Sequence, residues 1–301
     1  MYPPLHPYET KWVHVDTLHG SPVKIYVEWS GNPKGIPVIY CHGGPGDKSS
    51  PYIRRLYNPN KYNIVLFDQR GCGKSLPKAH LEKNTTPLLI RDMEIIRNLK
   101  GYDKWIVSGG SWGSSLAMMY AQAYPERVSG LILRGVYDLS QPTVIDEVFP
   151  EIHDEINELA EYKKGNRFKK ILHSLQTRKS RRLAALLVDM TPMYVKTKRS
   201  RDRENPFQMA LVNAHYEANH YFVPRREIYN NMHKIRHIPT FMVNGRWDIV
   251  TPASIAYRLS QQMDNCTLIF VDAGHTVFEK AIGDELTKCS DLMSKNAIKK
   301  G

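Results

Sequence analysis

Gly109-Gly110-Ser111-Trp112-Gly113 sets a serine among glycines, directly after the apolar run Trp105–Ser108 and directly before the helix-forming stretch Ser114–Tyr124. A strand, a G-x-S-x-G turn and a helix in that order make a nucleophile elbow. The turn is sharp, so Cβ atoms are excluded beside the serine, and the hydroxyl stands beyond the sheet edge at a helix N-terminus. A serine hydroxyl is a weak nucleophile until a histidine takes its proton, and the histidine needs a carboxylate to hold its orientation. With this elbow the partners follow in chain order, acid and then histidine. Asp248 ends Gly245-Arg246-Trp247-Asp248, just past the run Thr240–Asn244. Of the 12 histidines, His275 is the one just past the final run, Thr267–Val271. Ser111, Asp248 and His275 are therefore the expected catalytic set, with Asp272 the rival acid, and acyl transfer is the expected chemistry.

His42-Gly43-Gly44-Pro45-Gly46 follows another short run, Pro37–Cys41. Glycines there turn backbone N–H groups toward a developing oxyanion, and the second donor is the residue after the nucleophile. Gly44 and Trp112 are the expected pair. Histidine and these donors supply the chemistry, so no metal and no organic cofactor is expected.

The elements that must position these residues are short. Val23–Trp29 alternates as an early, antiparallel strand, and Tyr62–Phe67 is a further apolar run before a glycine-rich turn. Thr85–Lys100 carries Leu88, Leu89, Met93, Ile96 and Leu99 at helical spacing and stops at Gly101. Val128–Leu133 is the next strand. Apolar runs alternating with helices are the pattern of a parallel sheet, with strands buried on both faces. From Leu139 to Arg236 the β-branched runs disappear and helices with charged faces replace them. Strands on both sides of that block belong to one sheet, so it reads as an inserted helical lid over 139–236, with 1–138 and 237–301 as the core.

Composition is ordinary for a globular chain, 42% apolar and 24% charged. No apolar stretch is long enough to span a bilayer, and the first residues lack a secretory pattern, so no membrane association is expected. Cys41, Cys72, Cys266 and Cys289 show neither metal-ligand nor disulfide spacing and read as free thiols in a reducing, cytoplasmic setting. The net charge of +12 sits in one window: residues 162–203 hold 14 Lys or Arg and two acids, while the rest has 28 of each sign. Lys163, Lys164, Lys169 and Lys170 flank Phe168, Ile171, Leu172 and Leu175 as a solvated face flanks a packed one. An anionic partner at 162–203 is the sharper alternative, though few aromatics are present for base stacking.

With these motifs in place the chain resembles the proline iminopeptidase family of α/β-hydrolases. The resemblance rests on His42–Gly46, Asp68-Gln69-Arg70-Gly71, Asn84-Thr85-Thr86, Gly109–Ser114, Leu133-Arg134-Gly135 and Gly245–Asp248. It implies a mostly parallel eight-stranded sheet with helices on both faces and an all-helical lid. It also implies a serine exopeptidase that removes an N-terminal residue, usually proline, from small peptides with a free N-terminus. In the family, lid glutamates hold the substrate ammonium, one just before a His-Tyr-Phe triplet and one in a tryptophan-rich stretch. Here His220-Tyr221-Phe222 is present and Glu217 is the candidate, but Ala218 and Asn219 intervene. Residues 139–236 contain no tryptophan, which leaves Asp189 or Glu204 as substitutes for the second acid. The oxyanion motif also continues as Asp47-Lys48, not as further glycines. If the chain is an aminopeptidase, its basic lid residues face outward and Glu217 faces in. Two other functions compete: an esterase or amidase for small uncharged substrates, and a non-catalytic protein that binds through the basic lid. Epoxide hydrolase and dehalogenase chemistry is disfavoured, because those relatives place an aspartate at the elbow.

Overall fold

The computed structural model describes residues 1–139, 145–188 and 206–298. Eight strands form one sheet: β1 (Glu9–Leu18), β2 (Ser21–Gly31), β3 (Ile36–Cys41), β4 (Tyr62–Phe67), β5 (Trp105–Ser111), β6 (Val128–Val136), β7 (Thr240–Gly245) and β8 (Cys266–Val271). Their order is β1-β2-β4-β3-β5-β6-β7-β8. β1 pairs antiparallel with β2, and β2 with β4; β4, β3 and β5 to β8 run parallel.

Period-two alternation sorts the strand residues into two cores. Ile39, Val65, Val107, Leu131 and Met242 share one face with Leu89 and Met93 of α1 (Thr86–Leu99) and Leu116 of α2 (Trp112–Ala123). Val38, Ile64, Ile106, Ile132 and Val243 point to the opposite core, with Ile53 and Leu56 of a 3-10 turn. Both faces of the central strands are dry, which is why their sequences read as unbroken apolar runs.

Six described helices lie between β6 and β7: α3 (Ile145–Val148), α4 (Pro150–Leu159), α5 (Arg167–Arg178), α6 (Arg181–Leu187), α7 (Pro206–Ala218) and α8 (Glu227–Asn230). Ile171 and Leu175 of α5 pack with Leu183 of α6 and with Ala210 and Ala214 of α7 in a third apolar cluster. Around that cluster Lys163, Lys164, Lys169, Lys170, Arg181 and Arg182 are exposed. The chain returns through β7, α9 (Ala253–Ser260), β8 and α10 (Lys280–Ile298). Among the described residues no helix is long and apolar enough to cross a membrane.

Two elements escape the sequence reading. β1 is an edge strand whose Lys11, Trp12 and His14 are exposed, so its buried set shrinks to Val13, Val15 and Leu18. α10 buries a narrow stripe of Ile282, Leu286, Cys289 and Met293 on the second core. Its mostly polar remainder hides that stripe from a search for long apolar patterns.

Candidate active site

Ser111 ends β5 and sits at the N-cap of α2 with φ 58° and ψ −132°. A residue with a side chain is strained in that conformation, and the strain lifts the hydroxyl out of the turn. The glycines beside it are steric necessities. A Cβ on Gly109 would lie 2.1 Å from the Gly113 carbonyl oxygen, and one on Gly113 would lie 2.0 Å from that of Cys41.

β7 and β8 deliver the other two residues from neighbouring strand ends. Asp248 and His275 are both buried, and Nδ1 of His275 meets Oδ2 of Asp248 at 2.7 Å. The second carboxylate oxygen accepts the backbone N–H groups of Val250 and Thr251 at 2.9 and 2.8 Å. The Thr251 hydroxyl donates to Oδ2 at 2.7 Å. Burial alone would raise the Asp248 carboxyl, but the histidine's charge and hydrogen bond and the Thr251 donors outweigh it. The acid is held below its ordinary value and ionised. Asp272 is elsewhere occupied: its Oδ1 accepts the Trp247 indole N–H at 2.7 Å on the surface.

Arg134 is the participant that sequence reasoning passed over. It projects from β6 with Nη1 3.2 Å from Nε2 of His275 and 2.8 Å from that residue's carbonyl oxygen. A Cβ on Gly110 would lie 2.3 Å from its Nη2, so the elbow is moulded around the guanidinium. The signal was present, because a charge within the buried run Gly130–Gly135 is rare without a partner.

The 42–46 loop lies against the elbow, with a Cβ on Gly43 falling 3.4 Å from that of Ser111. Gly43, Gly44, Ser111, Trp112, Arg134 and His275 all line one cavity of about 290 Å³. Gln69 fastens the loop to α2. Its backbone N–H donates to Nε2 of His42 at 2.9 Å, and its side-chain amide donates to the His42 carbonyl at 2.8 Å. Its carbonyl Oε1 accepts the Trp112 indole N–H at 3.0 Å. Nε2 of His42 accepts, so Nδ1 carries the proton and donates to the Gly43 carbonyl at 3.0 Å. All three side chains are buried. Gln69→Leu is expected to lower kcat roughly 10- to 100-fold with little change in KM, since it misplaces backbone N–H groups beside Ser111 without touching the α7 side of the cavity. Steady-state hydrolysis of proline-β-naphthylamide checks this, and an equal loss confined to KM would refute it.

The same cavity reaches α7, where Met209, Asn213 and Glu217 line it. Glu217 accepts a hydrogen bond from the Tyr221 hydroxyl, and Ala218 is buried in packing. The Tyr221 ring stacks on the Trp112 indole with centroids 5.3 Å apart. His220, Tyr221 and Phe222 all take left-handed backbone conformations, with φ of 49°, 55° and 57°. Thr86 ties this turn to α1, its hydroxyl donating to the Tyr221 carbonyl at 2.5 Å. Asn84 holds α7 itself: its Oδ1 accepts the Tyr216 hydroxyl at 2.8 Å. Asp189 and Glu204 lie outside the described residues. Among the described residues, Arg167 departs from the outward placement expected of the basic lid residues, because it lines the cavity. Among the described residues no cluster of three or more His, Cys, Asp or Glu side chains gathers as a metal site would.

The chain matches the alpha/beta hydrolase fold family model over residues 36–281. It is 38% identical over 307 residues to the proline iminopeptidase of Neisseria meningitidis serogroup B, covering 96% of this chain and 97% of that one. It is 34% identical over 314 residues to the proline iminopeptidase of Arabidopsis thaliana, covering 97% of this chain and 82% of the relative. Among solved structures, an esterase from Exiguobacterium antarcticum superposes with a TM-score of 0.60 at 21% identity, covering 91% of this chain and 96% of the other. That last likeness concerns the fold alone, whereas the sequence matches run nearly end to end. The chain is an α/β-hydrolase, and it belongs to the proline iminopeptidase family.

Proposed function

We propose that this protein is a serine exopeptidase that releases an N-terminal residue, proline above all, from peptides through an acyl-enzyme on Ser111. The observation that carries the reading is one cavity lined at once by Ser111, His275 and Glu217. A nucleophile and its base make any hydrolase; a carboxylate in the same cavity selects a substrate with a cationic end.

In this mechanism Ser111 Oγ attacks the carbonyl carbon of the first residue as His275 Nε2 takes its proton. Arg134 must yield some of its contact with Nε2 for that transfer. Asp248 holds the ring with Nδ1–H toward itself and stabilises the imidazolium. The N–H groups of Gly44 and Trp112 take the oxyanion. The intermediate collapses, His275 returns the proton to the leaving amine, and the shortened peptide departs. Water then attacks the acyl-enzyme with His275 again as base, freeing the first residue and Ser111. Residues 139–236 act as a lid over this cavity, and Glu217 holds the ammonium. The exposed lysines and arginines of 162–188 serve as its solvated outer face, and we assign no anionic macromolecule to them. We place the enzyme in the cytoplasm, in keeping with four unbridged cysteines.

Glu217→Gln is expected to raise KM for proline-β-naphthylamide about tenfold or more, the usual worth of a charge-assisted hydrogen bond. Unchanged KM and kcat would remove Glu217 from that role. Equal turnover of substrates with and without a free amine would favour the esterase or amidase reading.

A further inference from the structure

We infer that Tyr216 and Asn84 form a joint that sets the rotation of α7 about its axis, and so aims Glu217 at the substrate ammonium. Both are positioning residues, and their role rests on the exopeptidase reading, which gives Glu217 its task.

α7 meets three surroundings along three stripes. Ala210, Leu211 and Ala214 pack in the lid cluster with α5 and α6. Val212 and Tyr216 belong instead to the main core beneath the lid. Met209, Asn213 and Glu217 line the cavity. Each cavity residue follows a core-facing one by a single position: Gln208 precedes Met209, Val212 precedes Asn213, and Tyr216 precedes Glu217. Neighbouring positions differ by about 100° in azimuth, so whatever pins the core stripe fixes where the cavity stripe points. Apolar contacts are non-directional, and they choose the face but not the angle within it. Turning a helix of roughly 5–6 Å radius by about 20° carries a side-chain tip about 2 Å, enough to break a hydrogen bond.

Directional bonds pin the core stripe at both ends. The Tyr216 hydroxyl donates to Asn84 Oδ1 at 2.8 Å, and Gln208 Nε2 donates to the Gly71 carbonyl at 2.5 Å. Nε2–H of His215 adds a bond to the Asn84 carbonyl at 3.0 Å. The Asn84 amide faces two ways. Its Nδ2 donates to the carbonyls of Arg70 and His80 at 2.9 and 3.0 Å, while its oxygen serves the lid. Arg70 is itself clamped, its guanidinium spanning both Asp92 carboxylate oxygens at 2.6 and 2.8 Å. Asn84 and Tyr216 are each 1% exposed, so water does not compete for the bond between them. Two residues after Asn84, Thr86 holds the turn that carries Tyr221, which donates to Glu217. The motifs at 68–71 and 84–86 thereby become one socket for the helix that carries Glu217.

The test is Tyr216→Phe, which removes the hydroxyl and keeps the ring on Trp112. KM for proline-β-naphthylamide is expected to rise about 3- to 10-fold, the effect of losing one buried hydrogen bond. The rate at which a fluorophosphonate probe labels Ser111 should stay within about twofold, since that reaction uses no ammonium. In a Glu217→Gln background, Tyr216→Phe should add less than about twofold to KM, because the group it aims is gone. Equal losses in labelling and in KM would overturn the inference, since the hydroxyl would then serve the fold at large. So would an unchanged KM in Tyr216→Phe, or a rise of the same size with and without Glu217. Unchanged KM in Glu217→Gln alone would instead refute the ammonium reading, and this inference with it.

Discussion

Ser111→Ala is expected to lower kcat on proline-β-naphthylamide by about a million-fold, the loss typical when a serine hydrolase loses its nucleophile. The variant should lose labelling by a fluorophosphonate probe as well. Only one oxygen disappears, and the residue is half-buried at the lip of the cavity, so no core contact goes with it. Alanine takes the same strained backbone on the same terms, since the strain belongs to φ and ψ and not to the hydroxyl. Thermal unfolding should therefore stay close to that of wild type. Residual catalysis from the oxyanion donors would remain above the uncatalysed rate. Turnover within tenfold of wild type in a folded variant would mean that another group attacks the substrate.

Asp248→Asn should cost about ten-thousand-fold in kcat by trapping the wrong histidine tautomer. The surrounding donors dictate how the amide turns. Oδ1 accepts two backbone N–H groups, so the amide oxygen must take that place. The NH2 group then replaces Oδ2, the atom that faces Nδ1 of His275 and the Thr251 hydroxyl. An N–H pointed at Nδ1 forces that nitrogen to accept, which moves the ring proton to Nε2. His275 then has no lone pair there to take the serine proton. Asp272→Asn, on an acid bound to the Trp247 indole, is the matched control and should stay within a few-fold of wild type. If the two variants lost activity equally, Asp248 would not be the orienting acid.

The elbow was legible because its cause is local: glycines pressed onto backbone oxygens leave a pattern of adjacent residues. Strands buried on both faces were legible for the same reason, as each prints a continuous apolar run. β1 and α10 were not, because each buries only a thin stripe and its other residues answer to solvent. Arg134 could be seen as odd but not located, since its distance from His275 depends on how β6 and the loop after β8 meet. Glu217 shows the same limit. One helical position turns a side chain by about 100°, so sequence offset from the His-Tyr-Phe triplet could not decide which way it faced. The packing of α7 on α5 and α6 decides it.

The three left-handed residues at 220–222 carry a consequence for engineering. Each side chain in that conformation costs roughly 1–2 kcal/mol, which glycine would largely avoid. Glycine would also remove the Tyr221 ring from Trp112 and the Phe222 ring from His215, whose centroids lie 5.3 and 4.9 Å apart in those pairs. Tyr221 is a buried member of the main core, and losing such a ring costs about 3–5 kcal/mol, more than the strain relieved. A library sorted only for thermal survival should therefore keep the ring at 221 in spite of its backbone, and glycine should be recovered at 220 sooner than at 221.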